Sequence, residues 1–74
     1  MSLNERILAD LRRTYISAVQ EMTLFPEGTK EHRRGESLAM STSKTVFSIF
    51  GKKAAEDLRK EGLRERERIK GAGL

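Results

Sequence analysis

Few residues of this chain have the types that do chemistry, and their spacing limits what they can do. His32 is the only histidine, and there is no cysteine. An imidazole serves as general base or nucleophile's partner only when other groups orient it, and the sequence places only Glu31 and Arg33 beside His32. It reads as an exposed loop residue. A bound metal would have to rest on carboxylates, yet no D-x-D or H-x-x-x-H spacing gathers them. Neither a metal nor a cofactor is expected.

Three short stretches look like pieces of known motifs. Ser41-Thr42-Ser43-Lys44 resembles the S-x-x-K pattern of penicillin-binding proteins and β-lactamases. Those folds are several times longer than 74 residues and carry companion motifs that are missing here, so the stretch reads as a helix N-cap followed by a solvated lysine. Lys44-Thr45 imitates the end of a phosphate-binding loop, but Ser43 and Leu38 occupy the two glycine positions. Phe25-Pro26-Glu27-Gly28-Thr29-Lys30 resembles the F-P-E-G-T-[RK] block of glycerolipid acyltransferases, in which a Glu and a basic residue bind glycerol phosphate. The H-x-x-x-x-D block that precedes it in that family is absent; His32 follows the block, with Ser37 where the Asp would stand. These six residues read as a turn after a helix, and the chain as no enzyme.

Hydropathy patterning then gives the elements. Ile7, Leu8, Leu11, Tyr15, Ala18, Val19 and Met22 recur at spacings of three and four between charged and polar residues, which predicts an amphipathic helix over about 3–24. Ser2 and Glu5 form a capping box at its start, and Pro26 stops it. From about 25 to 42 the periodicity disappears into a basic loop, with Leu38, Ala39 and Met40 returning to the core as a short anchor. Residues 45–50 are rich in β-branched and aromatic types, as a strand would be, but Val46, Phe47, Phe50, Ala54 and Leu58 also share helical spacing. A lone strand would lack a partner, so a second helix over about 43–61 is favoured, capped by Ser41, Thr42 or Ser43, with Gly51 inside it or marking a break. Residues 63–70 show apolar side chains only at Leu63 and Ile69, which predicts a solvated helix with pairs such as Glu65–Arg68 and Glu67–Lys70. The expected domain spans 1–70, with a disordered tail at 71–74.

Composition bounds the whole. Leu, Ile, Val and Phe number 17, about 23% of the chain, just above the roughly 20% below which disorder is expected. A core of this size supplies about 3–5 kcal/mol. The expected fold is all-α, a small helical hairpin or three-helix unit, completed by dimerisation or a larger protein partner. Its expected core is Leu8, Leu11, Tyr15, Ala18, Val19, Met22, Val46, Phe47, Phe50, Ala54 and Leu58, with Leu11, Tyr15, Met22, Phe47 and Phe50 as interface candidates. Charged residues break every apolar run, so neither a secretory signal nor a membrane span is expected, and the location read from this is cytoplasmic. Residues 1–37 are electrically neutral, and residues 38–74 carry the whole +4 surplus. The first functional reading is a non-catalytic regulator acting on DNA, RNA or the machinery attached to them, with Arg33, Arg34, Lys44, Lys52, Lys53, Arg59 and Lys60 as contacts. The alternative is an adaptor or inhibitor that binds a larger protein without touching nucleic acid.

Overall fold

The computed structural model describes residues 2–72, and their regular structure is three α-helices: α1 Leu3–Leu24, α2 Lys30–Phe50 and α3 Lys52–Gly71. A helix of α1's length extends about 33 Å, close to the 37 Å long dimension of the molecule, whose other two are 23 and 19 Å. All three helices therefore run along one axis. The five-residue turn 25–29 and the single residue Gly51 reverse the chain twice, so α2 is antiparallel to both neighbours and α3 runs parallel to α1.

The first helix forms where its stripe predicts. Ser2 caps it: its Oγ accepts from the Glu5 amide at 3.2 Å and donates to Glu5 Oε1 at 3.1 Å. At the other end Phe25 has left helical geometry (φ −108°, ψ 137°), as the residue before a proline must. Pro26 to Thr29 then make a turn closed by the Thr29 amide on Pro26 O at 3.2 Å, with Gly28 at φ +89°. Thr29 Oγ accepts from the His32 amide and starts α2.

The expected loop over 25–42 is thus corrected to a five-residue turn, and the N-cap of α2 is Thr29 rather than Ser41, Thr42 or Ser43. The physical reason lies in Gly35, Ala39 and Thr42, all buried. A Cβ at Gly35 would stand 2.8 Å from Ala18 O and 3.0 Å from Met22 Cγ, so α2 meets α1 backbone to backbone through small residues. Small and hydroxyl side chains do not register as an apolar stripe, and the contact they make hides from hydropathy. Residues 45–50 are the last turns of α2, not a strand.

α3 is likewise longer than its apolar residues suggest. Gly62 and Ile69 are buried, and a Cβ at Gly62 would come within 2.6 Å of the Tyr15 ring. The stretch 62–70 has a packed face whose members include Gly62, Ile69 and the half-buried carboxylate Glu65. Of the two ion pairs expected there, Glu65–Arg68 forms. Gly71 and Ala72 close α3, the Ala72 amide donating to Arg68 O at 3.1 Å; the remainder of the expected tail lies outside the described residues.

The core is narrow. Val46, Ala55 and Leu58 form its fully buried centre, and Leu8, Leu11, Tyr15, Phe50 and Ala54 pack around them. Leu11, Tyr15 and Phe50, expected at an interface, pack partly buried against this centre, and Met22 packs by Gly35. Phe47 corrects the expected core: it is 53% exposed, while Val46 beside it is wholly buried. Leu38 and Met40 are exposed too, and only Ala39 of the expected anchor is buried. No strand occurs among the described residues.

Candidate functional site

Between α2 and α3 the surface forms a groove with side chains of α1 as its floor. One half, about 360 Å³, is bounded by Tyr15 and Met22 from α1, Glu36, Ala39, Met40, Ser43 and Lys44 from α2, and Arg59 from α3. The other half, about 410 Å³, adds Val19, Thr23, Phe25, Glu27 and His32, with Arg66 and Lys70 from α3. Met22 and Glu36 line both halves, so the two are continuous.

The helical period explains its rims. Residues seven, eleven, fourteen and eighteen apart share one stripe of a helix. Arg33, Met40, Lys44 and Phe47 stand at such intervals on α2, and Lys52, Arg59, Leu63, Arg66 and Lys70 on α3. All nine are exposed. Met40 and Lys44 tie the first stripe to the groove, and Arg59, Arg66 and Lys70 tie the second. Glu36 stands eleven residues before Phe47 and Glu56 seven before Leu63, so one acid borders each stripe; each stripe otherwise mixes cations with a large apolar side chain that water covers badly. Among the described residues Arg33, Lys44, Arg59, Arg66 and Lys70 make no ion pair, while Lys52 Nζ approaches Glu56 at 3.9 Å. On the floor, burial pushes the Tyr15 phenol above its ordinary value and the Arg59 guanidinium pulls against it. A cation and an aromatic ring therefore sit within each other's field at the middle of the groove.

Of the sequence-predicted polyanion contacts, the structure brings Lys44 and Arg59 to this groove; Arg33 and Lys52 share their helical stripes without lining it. Arg34 lies on the other edge of α2, its Nε 2.7 Å from Glu21 Oε1 of α1. Lys53 and Lys60, seven apart, share the outer ridge of α3, one residue's rotation away from Lys52 and Arg59. Sequence reasoning missed Met40, Leu63, Arg66 and Lys70 as rim residues. The signal was present in the repeated seven- and four-residue spacings, but acids interleaved along both helices made the charge look evenly mixed.

His32 is not an exposed loop residue. It is half-buried in the first turn of α2, and its Nδ1 lies 2.8 Å from Met22 O and 3.1 Å from Phe25 O. Both partners only accept, so Nδ1 carries the proton and the ring closes carbonyls that α1 leaves unpaired at its end. Ser41 and Lys44 are both exposed on α2. No set of three His, Cys, Asp or Glu residues could hold a metal among the described residues, and no described helix is long and apolar enough to cross a membrane.

No family model, curated protein or solved structure matches this chain.

The cleft on the opposite side, about 440 Å³ between α1 and α3, has its charges committed. Arg12 holds Glu61 through two hydrogen bonds of 2.8 and 3.1 Å, and Arg13 pairs with Asp10. The α2–α3 groove differs in that Lys44, Arg59, Arg66 and Lys70 make no ion pair among the described residues.

Proposed function

We propose that this protein is a non-catalytic binding module that captures an anionic macromolecular partner along the α2–α3 groove. The observation that carries the reading is the gathering of Lys44, Arg59, Arg66 and Lys70, which make no ion pair among the described residues, around a groove floored by Tyr15, Val19 and Met22. Like charges gathered on one face repel one another and raise the local potential, a cost that an anionic partner relieves and that speeds its arrival. The apolar members of the rims and the floor supply surface whose burial would hold that partner once it has arrived. Lys52 and Lys53 at the start of α3, with no acid in its first turn, oppose the helix dipole, which is a further local cost on the basic side of the molecule. Completion of the fold by a second copy, and action on nucleic acid, stay within the range of this reading as particular partners.

Two charge-reversal pairs test it with the same change in net charge. Lys44→Glu/Arg59→Glu alters the groove, and Lys53→Glu/Lys60→Glu alters the outer ridge of α3. On a heparin column developed with salt, the groove pair is expected to elute well before the native protein and the ridge pair near it. Equal losses from both pairs would mean that bulk charge, and no located site, holds the polyanion.

A further inference from the structure

The groove has a shape and a charge pattern that select among anions. We infer that its occupant is an acidic amphipathic helix of a partner protein, lying along α2 and α3 as a fourth helix. This rests on the binding reading above and narrows it. Three features of the surface carry the step.

First, the described residues offer no strand edge, so an extended peptide would find no ladder to join, whereas a furrow between two aligned helices accepts a helix. Second, Met40 lines the groove, Phe47 stands two turns further along the same stripe of α2, and Leu63 shares the α3 stripe of Arg59 and Arg66; each is more than half exposed. Apolar knobs at that interval match the side chains on one face of a helix, and they add nothing to a phosphate backbone. Third, the cations are not continuous. Arg59, Arg66 and Lys70 span about 17 Å of α3 in steps of two turns and one turn, but Glu36 lines the middle of the groove and Glu27 its end. A nucleic-acid strand carries charge at every step and would meet both carboxylates. A helix can set glutamates at intervals of seven and four residues opposite the three cations and keep neutral side chains opposite Glu36. A second copy of this chain fits less well, because two chains of net charge +4 would bring like charge to a basic rim.

The probe is a fluorescein-labelled peptide of about 18 residues, with leucines on one face and glutamates flanking them at those intervals. Its control has the same composition, scrambled so that leucines and glutamates share no face. Fluorescence anisotropy against the full chain is expected to show the amphipathic peptide binding at least about tenfold more tightly than the scrambled one. Met40→Ala/Phe47→Ala and Arg59→Glu, all at exposed positions, are each expected to cost about tenfold or more. Parallel titrations use a DNA and an RNA strand of about 20 nucleotides and phosphatidylserine vesicles, and the free protein is sedimented at the same concentrations. Equal binding of the two peptides overturns the inference. So does tighter binding of either strand or of the vesicles, or a dimer that Phe47→Asp dissolves; in those cases the groove still binds and only its occupant has been misassigned. If no probe binds and the heparin test shows no located site, the parent reading falls as well.

Discussion

Val46 has no exposed surface and Phe47, the next residue, keeps more than half of its own, because a helix turns by about 100° per residue and only one of two neighbours can face the axis of a narrow bundle. The consequence at the residue scale is a sharp asymmetry. Val46→Asp places an unpaired charge beside Ala55 and Leu58, a burial that costs more than a core of this size supplies. Circular dichroism of that variant is expected to show loss of the cooperative fold. Phe47→Asp exchanges water-exposed ring for water-exposed carboxylate and is expected to change stability by no more than about 0.5 kcal/mol. A native melting curve for Val46→Asp, or an unfolded Phe47→Asp, would show the helix turned the other way. Sequence alone could not settle this pair. Both residues fit the 46–50–54–58 spacing to within a fraction of a turn, and Phe is the larger hydrophobe.

At the scale of the elements, the joint between α2 and α3 is one residue long. The Gly51 amide donates to Phe47 O at 3.0 Å and its carbonyl accepts from the Ala55 amide at 3.2 Å, so the same glycine ends one helix and begins the next. It does so at φ +94°, ψ 179°, a backbone conformation open in practice only to glycine. A Cβ there would meet no atom within 4 Å, which isolates the backbone as the sole source of cost. Gly51→Ala is expected to destabilise the protein by about 1–3 kcal/mol, read from the urea midpoint. An unchanged midpoint would mean that the chain reverses by some other conformation. The first helix was legible to within a residue because its stripe is built of large apolar side chains and its ends carry a capping box and a proline. The start of α2 and the second half of α3 were not, since Gly35, Thr42, Gly62 and Glu65 make their contacts through smallness or polarity.

At the scale of the whole molecule, α3 is held beside α1 by polar clamps as well as by the core. Arg12 grips Glu61, and Glu65 accepts from Arg68 Nε at 2.6 Å and from Gln20 Nε2 at 2.5 Å. Hydrogen bonds from Arg68, then from Gln20, lower the Glu65 carboxyl from 4.5 to about 2. A carboxyl that holds its proton less tightly in the folded chain than in the unfolded one stabilises the fold above the unfolded value, and that contribution is lost as the pH falls. The window here runs from about 4.5 down to about 2. Thermal unfolding across it is expected to show a steeper loss for the native protein than for Glu65→Gln, which has no proton to take up at this position. Parallel curves would remove Glu65 from the account.

By itself the sequence favoured an all-helical fold, and it determined where α1 begins and ends and that the positive surplus lies in the second half. These follow from local matters: periodicity, caps, a proline and a count of charges. Only the tertiary structure decided that three helices lie side by side, which of two adjacent side chains points inward, and that cations from α2 and α3 face one another while Arg34, Lys53 and Lys60 turn elsewhere. The reason is that a helix fixes the angles between its own residues but not its rotation against a neighbour. Here that rotation is set by two glycines allowing close approach, and a residue without a side chain gives no hydropathy signal from which to read it.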